Sequence, residues 1–211
     1  MRDAVRKAFA TWSTVVCPNG QRVGLHLAEL ATTPCGNAEY DAQGPNVNAI
    51  LFRDGAWQYK GVDNNVAKTN VHYDPDTGEI HDADIEVNTA NNHYTVGDTD
   101  VKFDLQTVLT HEIGHFLGLA HSPNPWAVMS ASYEPGSIAG RELDVDDIAA
   151  ICALYPPDGS SAACDYTPEG GEDRCAGQVA AACSVAPVAG QVGVLWLLTA
   201  SAGLLGWRRW A

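Results

Sequence analysis

The sequence predicts an α+β domain, and three observations carry that expectation: a helical apolar period at the N-terminus, a run of strand-like segments broken by turn residues, and two helical patterns later in the chain. Val5, Phe9, Trp12 and Val16 recur at helical spacing with basic residues between them, so a helix is expected over 3–15. "RVGLHLAEL" (22–30) and "NAILFRDGAW" (48–57) then alternate or run apolar like strands. "AKTNVHYDPDTGEIHDADIEVNT" (67–89) reads as two strands around a turn at Asp74 to Gly78, because Pro, Asp and Gly supply turn geometry there. The first hundred residues are thus a helix followed by a twisted mixed sheet. Asp104 is a good N-cap for a central helix on which Leu105, Val108, Leu109, Ile113, Phe116 and Leu117 recur, until Gly118 can leave it in a left-handed conformation. "LDVDDIAAICALY" (143–155) predicts a final helix with acidic residues in its first turn and Pro156-Pro157 after its end.

The chain has 211 residues, enough for one domain with appendages, since about 150 residues already bury a stable core. Composition divides it into a domain over 1–157, a Gly/Ser/Ala-rich linker over 158–182 and an apolar segment over 183–211. The net charge of -14 excludes nucleic acid and an anionic membrane surface as main partners. Six cysteines without a CxxC pair point to an oxidising compartment. The expected disulfides are Cys17 with Cys35 and Cys164 with Cys175, each closing a short polar loop, while Cys152 reads equally as a buried thiol or a half-cystine. "MRDAVRKAFATW" lacks a signal-peptide core, so either the start is truncated or Met1 is not the natural beginning.

The chemistry concentrates in "FDLQTVLTHEIGHFLGLAHS" (103–122). His111 and His115, four apart, share one helical face and can offer imidazole nitrogens to one ion. A turn at Gly118 could bring His121 to the same ion. Three nitrogen ligands leave a tetrahedral zinc one open position for water, the arrangement of a catalytic site. Glu112 is placed to accept the proton of that water and deliver it to a departing amine, which makes peptide-bond hydrolysis the natural reaction.

The pattern His111-Glu112-x-x-His115-x-x-Gly118-x-x-His121, followed by Met129 in "AVMSASY", resembles the metzincin metalloproteases, and Ser122, Tyr133 and the last helix resemble their matrixin branch. The resemblance covers about 1–157. It implies a metzincin-like zincin domain with a small C-terminal subdomain, zinc on His111, His115 and His121, Glu112 as general base, and Met129 as the floor of the site. It further implies a substrate pocket walled by the segment around Tyr133. Thr107 stands where a larger residue shortens that pocket in some members, so an open, apolar-accepting pocket is expected. Substrate would lie extended along a sheet edge, for which "DADIEVN" (82–88) is the candidate.

Matrixins commonly hold a second zinc on His-x-Asp and two later histidines. His72, Asp74, His81 and His93 offer the residue types, but their spacing differs and Asp84 stands where a histidine is expected, so a second zinc is not expected. Asp63, Asp82, Asp84, Asp98 and Asp100 are candidates to hold calcium.

In the tail, residues 192–207 are uncharged and precede Arg208-Arg209, somewhat short of the about 20 residues that span a membrane. "CSVAPVAG" through "LLGWRRWA" is similar to C-terminal sorting tails of exported proteins of Gram-negative bacteria, notably myxobacteria. Cys183 would then be the processing or anchoring site, and a plain transmembrane anchor is the rival reading. The whole reads as an exported zinc endopeptidase, secreted, periplasmic or attached to the cell surface. It is expected to be monomeric, to act on protein or peptide substrates, and to meet a membrane only through its C-terminal segment. The alternative is a non-catalytic zinc domain that binds peptides or serves adhesion.

Overall fold

A computed structural model describes residues 1–27, 36–43, 46–59 and 66–157, with the backbone of 182–183. Helix α1 (Arg2–Ser13) leads through the short β1 (His26–Leu27) to the strands β2 (Ile50–Phe52), β3 (Ala67–Tyr73) and β4 (Ile80–Val87). Two short strands, β5 (Tyr94–Thr95) and β6 (Phe103–Asp104), pair in parallel and deliver the chain into α2 (Leu105–Phe116). A 3-10 turn (Ala139–Arg141) precedes α3 (Val145–Leu154), and β7 (Ala182–Cys183) pairs antiparallel with β1.

The main described sheet is mixed, in the order β2-β4-β3: β2 runs parallel to β4, and β3 antiparallel to it. The β3–β4 hairpin turns at Asp74, whose carboxylate accepts the Asp76 and Thr77 N–H groups at 2.7 and 3.0 Å, with Gly78 at φ 78° completing the reversal. This order corrects the expectation for residues 82–88. They are central, with β2 on one side and β3 on the other, so the edge strands of this described sheet are β2 and β3, of which β3 meets α2 through Thr69. Alternation in a sequence assigns the faces of a strand, whereas its neighbours depend on which distant segment returns beside it.

The two faces of β4 show that division. Ala83, Ile85 and Val87 enter the main core. Asp82, Asp84 and Glu86 point the other way and are also buried, the latter two against the 46–59 segment. There Asp84 accepts the Ala49 N–H at 2.8 Å, and Glu86 receives Arg53 Nε and the Tyr59 hydroxyl.

Helix α1 lies against α2. Ala4, Ala8 and Trp12 form its buried stripe, Phe9 meets Phe116 edge to face at 5.7 Å, and Trp12 Nε1 donates to the Thr110 carbonyl at 2.8 Å. The expected stripe is thereby shifted. Small alanines let the helices approach, and Val16 lies beyond the helix at 57% exposure.

The cysteine expectation is overturned at one pair. Cys17 is bonded to Cys152, not Cys35, with Cα atoms 5.7 Å apart and 135 positions between them in sequence. The core sets this pairing: the segment after α1 packs against the end of α3, where the Gly24 N–H donates to the Tyr155 carbonyl at 3.0 Å and a Cβ on Gly24 would stand 2.5 Å from the Pro156 oxygen. Cys35, Cys164 and Cys175 lie outside the described residues, as does the apolar run 192–207. Among the described residues no helix is long and apolar enough to cross a membrane.

Candidate active site

Helix α2 is built to hold one face of side chains still. Asp104 caps it by accepting the Thr107 N–H at 2.9 Å and the Thr107 hydroxyl at 2.8 Å. Arg141 then clamps the same carboxylate through Nε at 2.8 Å and Nη2 at 2.6 Å, with Nη1 on Asp98 at 2.6 Å. Burial alone would raise the Asp104 carboxyl, but these donors outweigh it and hold it below the ordinary range.

The helix stops as the spacing requires. Gly118 takes φ 90°, and the Gly118 and Leu119 N–H groups close onto the His115 and Gly114 carbonyls at 2.8 and 2.9 Å. A Cβ on Gly118 would also stand 3.3 Å from Ile80 Cδ1. The reversal returns His121 to the helix, where His115 Nε2 and His121 Nε2 are 3.1 Å apart. One nitrogen from each of His111, His115 and His121 lies within 4.8 Å of the others, and this is the one group of metal-holding side chains among the described residues.

Two of the rings are oriented by backbone. His111 Nδ1 lies 2.7 Å from the Val128 carbonyl and His115 Nδ1 2.8 Å from that of Leu119. A carbonyl only accepts, so each Nδ1 carries the proton and each Nε2 keeps its lone pair for a metal. Burial, with the neighbouring imidazoles, holds His111 well below its ordinary pKa, and burial lowers His115 and His121 too. Three neutral imidazoles with no thiolate suit zinc with one open position.

Met129 lies beneath α2, 2% exposed, with its sulfur against Gly114: a Cβ there would be 2.1 Å from Sδ. Its turn is tied to the histidine loop by the Ser122 N–H, which donates to the Met129 carbonyl at 2.7 Å. Asp147 of α3 holds it from behind, accepting the Val128 and Met129 N–H groups at 2.7 and 3.1 Å.

Glu112 is fully buried. The Thr69 hydroxyl lies 2.5 Å from Oε2, while Oε1 has no hydrogen-bond partner in the protein. Burial pushes the carboxyl up to about 7, with the Thr69 hydrogen bond opposing. Thr107 is buried, engaged with Asp104 and packed on Gly140, where a Cβ would meet its Cγ2 at 2.6 Å. The Tyr133 hydroxyl accepts the Asp104 N–H at 2.9 Å and donates to the Ser137 carbonyl at 3.2 Å, and its ring stacks on Phe103. The segment 133–141 is therefore fastened to the start of α2.

The other metal candidates fare differently. His72 and His81 stack on Tyr40 at 4.7 and 6.4 Å, and Asp98 is paired with Arg141. Asp82 keeps both carboxylate oxygens buried without a hydrogen-bond partner, the nearest histidine nitrogen being His72 Nδ1 at 3.6 Å. Asp63 lies outside the described residues. Sequence reasoning passed over Thr69, Arg141 and Asp147. Asp147 carried a signal as one of two acids opening the last helix, where it also reads as a capping residue. Thr69 carried none, being one residue of an ordinary strand.

A central helix with three converging histidines, a reversal at glycine and a methionine turn beneath define a metzincin-like zinc protein. The chain belongs to the matrixin family, whose model matches residues 1–156. Metalloendoproteinase 1-MMP of Arabidopsis thaliana is 31% identical over 158 residues, covering 74% of this chain and 38% of that protein. Human matrix metalloproteinase-16 is 28% identical over 158 residues, covering 74% and 24%. Human matrix metalloproteinase-20 is 49% identical over 55 residues, covering 26% and 11%. The chain thus spans well under half the length of these relatives.

Proposed function

We propose that this chain is a zinc-dependent endopeptidase that hydrolyses peptide bonds of extracellular or periplasmic proteins. The observation that carries the proposal is the convergence of His111, His115 and His121 within 4.8 Å, beside a buried Glu112 with one carboxylate oxygen that meets no protein donor. Zinc, when bound, supplies Lewis-acid activation of a water and of the scissile carbonyl. His111 and His115 hold their Nε2 lone pairs inward because their Nδ1–H groups donate to the Val128 and Leu119 carbonyls on the other side of the rings. Glu112 accepts the proton of the attacking water and delivers it to the departing amine nitrogen, so no covalent acyl intermediate is needed. Met129 and Gly118 support the site from below and from the turn.

The substrate would extend along β3, with the side chain after the scissile bond directed to the segment around Tyr133. The Cys17–Cys152 disulfide supports export to an oxidising compartment. The tail from Cys183 would serve as a sorting or anchoring signal of bacterial type. A structural calcium would draw on Asp82, whose oxygens are buried and lack a hydrogen-bond partner, with His72 Nδ1 3.6 Å away. The chain would act as a monomer.

The test is Glu112→Ala beside the wild type on an unstructured protein such as casein. Zinc content should stay at one per chain while turnover falls at least about 100-fold, the usual worth of a general base. Wild-type turnover by the variant would refute the mechanism.

A further inference from the structure

Thr69 sits in the middle of β3, paired in register with Ile85 of the central strand. Its backbone is therefore fixed by the sheet, and a β-branched side chain has few rotamers to choose from. Its hydroxyl reaches across to α2, 2.5 Å from Glu112 Oε2 and 3.1 Å from the Glu112 backbone carbonyl. The second carboxylate oxygen, Oε1, is buried and meets no protein donor.

We propose that Thr69 is the positioning residue of the base: by occupying Oε2 it fixes the rotation of the Glu112 carboxyl and leaves Oε1, which meets no protein donor, as the oxygen that receives the proton of the attacking water. This rests on the reading of Glu112 as the base. A carboxylate has acceptor capacity on both oxygens, and without an anchor it samples orientations that face neither the water nor the leaving nitrogen. A hydroxyl carries a single rotatable proton, so Thr69 can donate to Oε2 or turn that proton to the Glu112 carbonyl without any heavy atom moving. The same contact joins β3, an edge strand of the described sheet, to the helix that carries the base. A peptide aligned on β3 is thereby registered against the oxygen that must receive the proton. Ordinary strand packing would explain a threonine at this position but not the placing of its hydroxyl on one oxygen of a buried carboxyl.

The experiment compares Thr69→Val, which keeps the shape and removes the hydroxyl, with Thr69→Ser, which keeps the hydroxyl, and with Glu112→Ala. In the zinc-loaded chain, Thr69→Val should lower kcat by about 10- to 100-fold, part of the effect of a general base, with KM and zinc content unchanged and with Thr69→Ser close to wild type. In the zinc-free chain, Thr69→Val should lower Tm more when Glu112 is present than in the Glu112→Ala background, where only the backbone carbonyl of residue 112 is left as acceptor for the hydroxyl. If Thr69→Val fails to fold, Thr69→Ala carries the same comparison. A wild-type kcat for Thr69→Val, or equal Tm shifts in both backgrounds, overturns the inference while an inactive Glu112→Ala leaves the base in place. An active Glu112→Ala overturns the base itself, so the two failures are distinguishable.

Discussion

Replacing both Cys17 and Cys152 by serine opens a cross-link between positions 135 apart in sequence. In the chain-entropy description a closed loop of that size removes about 17 cal/mol/K from the unfolded ensemble, or roughly 5 kcal/mol at 25 °C. For a domain of this length each kcal/mol moves Tm by roughly 2–4 °C, so the double variant should melt roughly 10–20 °C below the wild type. The native contacts around the bond give no reason for a smaller loss. Cys17 is 4% exposed, and the same region holds the Gly24 to Tyr155 hydrogen bond at 3.0 Å, so the two segments stay packed when the bond is absent. The effect should therefore act through the unfolded chain, which becomes more expanded once uncross-linked. Urea unfolding should then show a larger m-value in the variant along with a lower midpoint. The assay is thermal and urea unfolding of the oxidised wild type and of Cys17→Ser/Cys152→Ser, followed by circular dichroism. A Tm within about 3 °C of wild type with an unchanged m-value would refute the reasoning, because it would mean that the ends already meet in the denatured chain.

Two further outcomes test the packing and the charges. Gly114→Ala should destabilise the protein despite a gain of about 1 kcal/mol in helix propensity, because the new Cβ would stand 2.1 Å from Met129 Sδ and 3.0 Å from Trp12 Cζ2. Overpacking of that kind costs roughly 1–3 kcal/mol, and net stabilisation in urea unfolding would contradict the placement of Met129 beneath the helix. Burial, with Asp82 and Glu86 nearby, pushes the Asp84 carboxyl up to about 7 despite the Ala49 N–H. A folded pKa above the unfolded value of about 3.9 means that stability from this group is fully present below about 3.9 and lost as pH rises through about 7. Asp84→Asn keeps an acceptor for Ala49 and cannot ionise, so its Tm advantage over wild type should grow between about pH 4 and pH 8. An advantage that stays constant across that range would show that Asp84 is not the titrating group.

Much of the candidate site was legible before any coordinates. The spacing of His111, His115, Gly118 and His121 encodes a helix face and a left-handed stop, and both are local properties of the backbone. The Asp104 cap and the Asp74 to Gly78 turn were legible for the same reason, since each is a side chain bonding to backbone two or three residues away. Alternation also placed Ala83, Ile85 and Val87 on one face of their strand. It could not show that the opposite face, with Asp82, Asp84 and Glu86, is buried as well, because that depends on the 46–59 segment folding over it.

By itself, then, the sequence determined which residues can present nitrogen lone pairs to one ion and where the helix carrying them begins and ends, because hydrogen bonds within a few residues settle those matters. Only the tertiary structure decided that Cys17 pairs with Cys152, that β4 is central and β3 an edge strand, and that Thr69 meets Glu112. Those contacts join positions 135 and 43 apart in the two residue pairs, and a chain that long between partners leaves their meeting to the core that packs around them.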